Sequence, residues 1–464
     1  MKGAIGNGDR SLTRRSLVGS ALAAPALARA APAQAAGNPP NIVFLISDDH
    51  TWSDLGCYGN SVIHTPNLDR MAREGMRFTR CVVSSPQCSP NRSSILTGCA
   101  PHTTATSRLH TPMPDWEPTF LEPLKERGYF TGAFRKVHQG QAFDKRWHFY
   151  GNARTPFGKF FEALPRESPF FLHVGFTDPH RPYQKGAFSP PHDPARVRVP
   201  RFLPDTPDVR QDLAYYHDEI ARMDSECGQV FDLLRRHGLD TNTLVVFTGD
   251  NGMPFPRAKG GCYDPGIRVP LVAWRPGRIA AGAVREELIA HVDLPVTWLE
   301  AAGLPKPRKM QGRGFLGLLE GKPYQPREEV FSERNWHDNF DPIRAVRTDR
   351  YKLLFNAAPH FPYRPALDLA NSPSWKSYLE QSRRGGLTVE QLRLLDPTRP
   401  LLELYDLSND PDEFHNLATS PAHAAVLADL KERLSRWMHD TQDFLPPARA
   451  LPGQPPGRDW PISL

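Results

Sequence analysis

The chain has 464 residues, with 57 Lys and Arg against 51 Asp and Glu and a formal charge of +6. Residues 1–35 hold Lys2, Arg10, Arg14, Arg15 and Arg29 against the single acid Asp9, so without them the charge falls to +2. The remainder has no basic stripe interleaved with aromatics, which argues against a nucleic-acid partner, and no run of about 18 apolar residues that would span a membrane.

The first 36 residues read as an export leader. Arg14-Arg15 precede a mildly apolar Ala/Gly/Leu run, and Ala33-Gln34-Ala35 supplies a small-residue cleavage site. This is the pattern of a twin-arginine signal, with an ordinary secretory signal as the alternative. It predicts a periplasmic or secreted protein, exported already folded.

Residues 37–325 alternate apolar runs with helical segments. The stretches 41–47, 170–176 and 243–248 read as buried strands, and 131–134 and 269–274 as two shorter ones. Residues 211–237 repeat apolar side chains at spacings of three and four, which predicts a long helix stopped by Gly238, and 294–302 predicts another stopped by Gly303. Strands alternating with helices imply an α/β sheet covered on both faces. The pattern changes over 326–464. Residues 343–356 alternate about Thr348-Asp349-Arg350 as a hairpin would, 401–406 reads as a strand and 422–440 as an amphipathic helix. These predict a smaller antiparallel α+β subdomain, with a proline-rich tail from Leu445 wrapping the surface.

Unusual polar residues gather after the predicted strands, where open α/β sheets bind ligands. Asp48-Asp49 follow the first strand and Asp250-Asn251 follow 243–248. Three carboxylates and an amide oxygen form a hard site suited to calcium, or to magnesium. No cysteine or histidine spacing suits zinc. Lys136 and His138 follow 131–134, Asp178, His180 and Arg181 follow 170–176, and Lys259 lies in a loop beyond Asn251. Singly, each of these would read as a solvated surface residue. The six cysteines, Cys57, Cys81, Cys88, Cys99, Cys227 and Cys262, show no C-x-x-C spacing, so disulfides are allowed but not demanded.

Residues 88–98 read Cys-Ser-Pro-Asn-Arg-Ser-Ser-Ile-Leu-Thr-Gly. Pro90 suits a first helical turn, whose N-terminus would face an anion, and Arg92 lies about one turn beyond Cys88. A structural cysteine before an ordinary helix is the plain alternative. The run resembles the C-x-P-x-R…L-T-G motif of the type I sulfatases of the alkaline-phosphatase superfamily, with Asn91 where serine or alanine is commoner. The stretches 199–207, 221–224, 250–256 and 404–418 resemble, more narrowly, the heparan N-sulfatases, although Lys259 stands where that branch carries arginine.

The resemblance implies a large mixed sheet sandwiched by helices, with the smaller C-terminal subdomain beside it. It implies that a maturation enzyme oxidises Cys88 to formylglycine, whose hydrated gem-diol is the nucleophile. Calcium would be held by Asp48, Asp49, Asp250, Asn251 and residue 88. Arg92, Lys136 and Lys259 would neutralise the sulfuryl group, and Asp250 would help deprotonate the attacking hydroxyl. His180 or Lys259 would protonate the leaving atom, and His138 would take the proton of the second hydroxyl. The implied substrate is a sulfated saccharide, an N-sulfated glucosamine of heparan or heparin fragments. Asp178, Arg181, His337 and Asp338 are placed at its pocket rim, with simple packing as the alternative for them. A carbohydrate O-sulfatase or arylsulfatase, a phosphonate or phosphodiester hydrolase and a non-catalytic glycan-binding relative stay open, as does a homodimer.

Overall fold

The computed structural model describes residues 39–445, so the leader and most of the proline-rich tail lie outside the described residues. The strands of the first sheet are β1 (Asn41–Ser47), β2 (Met76–Val82), β3 (Phe130–Arg135), β4 (Phe149–Gly151), β5 (Phe170–Gly175), β6 (Thr243–Gly249), β7 (Arg268–Trp274), β8 (Ala283–Arg285) and β9 (Ile289–Ala290). They run in the order β4-β3-β5-β1-β6-β7-β2-β8, with β9 also on β2. The pairs from β4 to β6 are parallel, whereas β7 runs antiparallel to both β6 and β2, so the sheet is mixed.

Every residue of β1, β5 and β6 is buried, as strands covered on both faces require. Ile42, Phe44 and Ile46 pack on one face with Leu294, Trp298 and Leu299 of the helix Asp293–Ala301. Val43 and Leu45 pack on the other with Leu213, Ile220, Met223 and Val230 of the helix Pro207–Arg236. That long helix begins a turn earlier than its apolar repeat predicts. Thr206 accepts a bond from the Val209 amide, and Pro207 needs no amide partner in a first turn.

The second sheet is antiparallel, in the order β10 (Val330–Trp336), β11 (Phe340–Arg347), β12 (Tyr351–Asn356) and β13 (Leu402–Asp406). Thr348–Tyr351 closes the expected hairpin through the Thr348 amide and the Tyr351 carbonyl, 2.8 Å apart. Val346, Leu353, Phe355 and Leu404 bury themselves against Leu430, Leu434 and Met438 of the helix Ala424–Asp440. None of the six cysteines is joined in a disulfide. Among the described residues no helix is long and apolar enough to cross a membrane.

The strand register places the site. Ser47 pairs with Gly249, Ile46 with Gly175, and Gly175 with Arg135. Four parallel strands therefore end at one level, and the residues that follow them, Asp48, Lys136, Asp178 and Asp250, emerge along a single edge. The turn after β6 needs glycine at Gly252, where an added Cβ would stand 1.8 Å from the Pro265 carbonyl oxygen.

Candidate active site

Cys88 opens the helix Cys88–Thr97, all ten residues of which are buried. Its Sγ lies 3.3 Å from Asp48 Oδ1 and 4.0 Å from Asp49 Oδ1. The ligand atoms of Asp48, Asp49, Cys88 and Asp250 all lie within 4.8 Å of one another. Asp250 Oδ1 accepts the Asp49 amide at 2.9 Å, and Asn251 Nδ2 donates to Asp49 Oδ1 at 2.7 Å. Asn251 Oδ1 is buried with no partner.

Burial, followed by the neighbouring Asp48 charge, pushes the Asp250 carboxyl up to about 7. Burial would raise Asp48 too, but Lys136, His180, Arg92 and Lys259 outweigh it and hold that carboxyl well below the usual range. The chain alone therefore leaves this oxygen cluster short of positive charge. Crowded carboxylates, an orphan amide oxygen and the absence of imidazole among the four residues fit a hard divalent cation such as calcium. Burial, with Asp48 and Asp250 adding to it, raises the Cys88 thiol well above its ordinary value, so an unmodified thiol is neutral here.

Cations ring the same point. Arg92 Nε donates to Asp250 Oδ2 at 2.8 Å and Nη1 to the Lys136 carbonyl at 2.6 Å, leaving Nη2 buried and unpartnered. Lys136 Nζ pairs with Asp48 Oδ2. Lys259 Nζ donates to Asp49 Oδ2 at 2.7 Å and to Asp368 Oδ2 at 2.6 Å, and stands 3.1 Å from His180 Nε2. Burial opposes the Lys259 charge, but Asp49 and Asp368 hold it firmly protonated. His180 Nδ1 meets the Arg181 carbonyl. A carbonyl only accepts, so Nδ1 carries hydrogen and Nε2 accepts from Lys259. Burial, with Lys136 and Arg92 adding to it, lowers His138 to about 3, which makes it a neutral base.

Three non-glycine residues here adopt left-handed backbone: Asp49 (φ 65°), Arg135 (φ 60°) and His138 (φ 66°). Each costs on the order of 1 kcal/mol, and the surrounding ladder and ion pairs hold them there.

The structure thus brings Asp48, Asp49, Cys88, Arg92, Lys136, His180, Asp250, Asn251 and Lys259 together around one point. Two rim expectations need correction. Arg181 does not face a substrate: its guanidinium is buried, paired with Asp212 at 2.8 and 2.6 Å and bonded to the Pro254 carbonyl at 3.0 Å. Asp178 is taken by Arg222 at 2.8 and 2.7 Å, while its carbonyl accepts the Asp48 amide at 2.9 Å. Both brace the loops that carry the site. Their acidic and basic partners sit about 30 to 45 residues away on the long helix, a pairing that no local pattern displays.

His337 and Asp338 pair with each other at 2.7 Å, and Asp338 also accepts the Leu367 amide at 2.8 Å. That contact anchors the segment carrying Asp368, a site residue that the sequence reading missed. Asp368 reaches Lys259 from the short helix Leu367–Ala370, with no preceding strand to announce it, and its Oδ1 is buried and unpartnered. His110 was missed as well, and its Nδ1 lies 2.8 Å from His138 Nε2. Asn91 is explained by its bonds to the Asp250 carbonyl at 2.6 Å and to His291 Nδ1 at 2.8 Å. Serine or alanine could not span that gap.

The sulfatase family model matches residues 40–304, and that of the N-sulphoglucosamine sulphohydrolase C-terminal region matches residues 258–374. Human N-sulphoglucosamine sulphohydrolase is 32% identical over 461 residues, covering 87% of this chain and 91% of the relative. An ulvan-active sulfatase of Formosa agariphila is 28% identical over 457 residues, covering 86% and 74%. The solved complex of a protein with its substrate D-glucosamine-2-N,6-O-disulfate shares the fold at a TM-score of 0.68 and 19% identity, covering 89% of this chain and 100% of that one. With a family model spanning more than half its length and a relative matched nearly end to end, the chain belongs to the sulfatase family and is a sulfate ester or sulfamate hydrolase.

Proposed function

We propose that residue 88 acts as formylglycine beside a bound calcium ion, and that the enzyme removes the N-sulfate of glucosamine at the non-reducing end of heparan-derived saccharides. The observation that carries the chemistry is the buried cluster of Asp48, Asp49, Asp250 and Asn251 around residue 88, faced by Arg92, Lys136 and Lys259. The modified residue would supply one hydroxyl to attack sulfur and a second to expel the sulfate. The cation would be held by the four oxygen ligands and residue 88, and would offset charge on the sulfuryl group.

This chain's own groups do the rest. Arg92 and Lys136 would present positive charge to the sulfuryl oxygens from a largely buried site, where such charge acts more strongly than in water. Asp250, 2.8 Å from Arg92 Nε, would receive the proton of the attacking hydroxyl. Lys259 is the resident proton donor, since His180 accepts from it, and the departing nitrogen would draw its proton from this pair. His138, neutral and with Nδ1 unpartnered, would take the proton of the second hydroxyl.

The N-sulfate assignment rests on the similarity to human N-sulphoglucosamine sulphohydrolase and on the C-terminal match over residues 258–374, which include His337, Asp338 and Asp368. Sulfate release from glucosamine N-sulfate, glucosamine 6-O-sulfate, an iduronate 2-O-sulfated disaccharide and an aryl sulfate tests it. The N-sulfate is expected to lead in kcat/KM by roughly a hundredfold or more, because a pocket with buried polar groups rejects ligands that leave them unpaired. A clear lead for an O-sulfate would overturn the N-sulfatase reading and keep the sulfatase. Turnover confined to phosphonates or phosphodiesters would replace the substrate class.

The working protein also needs an enzyme that oxidises Cys88, and we assign export to the twin-arginine route from Arg14-Arg15 and Ala33-Gln34-Ala35. N-terminal sequencing of the exported protein is expected to begin near Ala36. Unchanged export after Arg14 and Arg15 are both replaced by lysine would point to the general secretory route.

A further inference from the structure

The helix that opens with residue 88 is bolted to two histidine-bearing loops. The His110 amide donates to Ser89 Oγ at 2.8 Å, and Gln139 Nε2 donates to the Ser89 carbonyl at 2.9 Å. The Met113 amide joins the two loops by donating to the Gln139 carbonyl at 3.1 Å. This frame sets His110 Nδ1 2.8 Å from His138 Nε2, with ring centroids 4.9 Å apart. Both histidines hold left-handed backbone, at φ 62° and 66°, a conformation that a fixed pair justifies and a free surface side chain would not.

The two rings differ in what they can reach. His138 is mostly enclosed, with Nδ1 buried and unpartnered, whereas His110 is open to solvent. We propose that His110 is a relay residue, conducting the proton that His138 receives at the nucleophile out to water. The proposal rests on the formylglycine reading, in which His138 accepts a proton to regenerate the aldehyde.

The transfer balances. His138 Nδ1 takes the proton of the second hydroxyl, whose oxygen becomes the aldehyde carbonyl as the bond from carbon to the sulfate oxygen breaks and sulfate leaves; His138 Nε2–H passes a proton to His110 Nδ1, and His110 releases the proton on its Nε2 to water. Both rings end neutral, with one proton delivered, and exchange with water restores the starting tautomers. The surroundings discourage storage of that proton at either ring. Lys136 and Arg92 face His138, opposed by Asp48, and Lys136, Lys259 and His180 face His110, opposed by Asp338. Burial lowers both rings, so each is neutral at pH 7 and free to accept. His110 does not touch the sulfuryl group and acts only through His138.

The test uses full-length enzyme whose residue 88 is shown by mass spectrometry to be aldehyde. His110→Ala is expected to lower kcat on the order of 10- to 100-fold, within the range of a lost proton-transfer group, with KM falling in step as the sulfated enzyme accumulates, so that kcat/KM changes little. Added imidazole is expected to restore kcat in proportion to its concentration, and peptide 81–92 quenched during turnover is expected to carry a sulfuryl group. His110→Gln keeps an acceptor for His138 Nε2–H but cannot conduct a proton, so it too is expected to be slow. Its thermal melt checks the fold should the alanine variant fail to fold. Wild-type kcat in His110→Gln would overturn the relay and leave His110 as a ring support. Slow turnover without imidazole rescue and without a retained sulfuryl group would overturn it equally. His138→Ala at the wild-type rate would instead defeat the underlying mechanism.

Discussion

Cys88→Ala is expected to abolish sulfate release, by a factor on the order of 10⁶, as loss of a covalent nucleophile does in other hydrolases. The fold should survive. Cys88 contributes one small side chain whose Sγ contacts are to Asp48 and Asp49, and alanine is at least as good at a helix start, so the melting temperature should change little. Two things separate the modified residue from a thiol. The thiol at this position stays protonated because burial and two carboxylates raise it, and it has no second hydroxyl with which to expel the product. Protein in which peptide 81–92 is wholly thiol should therefore be as inactive as the alanine variant. Cys88→Ser has a hydroxyl but only one, so at most it should accept a sulfuryl group and retain it. Substantial turnover by either variant or by all-thiol protein would sink the mechanism.

Removing the divalent ion is expected to stop activity and to lower stability together. Elemental analysis of active protein should find about one calcium per chain, and stoichiometric zinc without calcium or magnesium would contradict the oxygen site. Calcium at about 100 times its Kd should add about 2.7 kcal/mol of stability by mass action. The pH dependence of the metal-free protein follows from Asp250. Its folded value, about 7, lies above the ordinary 3.8, so the folded state binds the extra proton. Stability from this group is greatest below pH 4 and is lost as pH rises toward and through 7. Calcium competes with that proton. Its rise in melting temperature should be larger at pH 8 than at pH 5, and equal rises at both would separate Asp250 from the ion.

Much of the site was legible because of where apolar runs end. The stretch 41–47 and the stretch 243–248 are continuous enough to be buried parallel strands, and their ends carried Asp48-Asp49 and Asp250-Asn251 into the same reading. β2 escaped because Arg77 and Arg80 interrupt its apolar residues on a partly exposed stretch, although it sits inside the sheet between β7 and β8. Arg181 looked available because a sequence displays a charge without its partner, and Asp212 lies a long loop away. Asp368 and His110 were invisible for the opposite reason. His110 comes from a turn and Asp368 from a four-residue helix too short to show a periodicity, and each acquires meaning only through His138 or Lys259, contacts that the tertiary fold alone creates.

The enclosure of residue 88 has a consequence for timing. Its side chain is 2% exposed, and no residue of its helix remains open to solvent. An oxidising enzyme cannot grip this segment once the sheet has closed over it, so the proposed conversion has to be made on a chain still unfolded there. If export then carries a finished fold, the window shuts before the protein leaves the compartment where it was synthesised. Molecules that fold first would stay thiol for life, and the active fraction of a preparation would record a race between modification and folding.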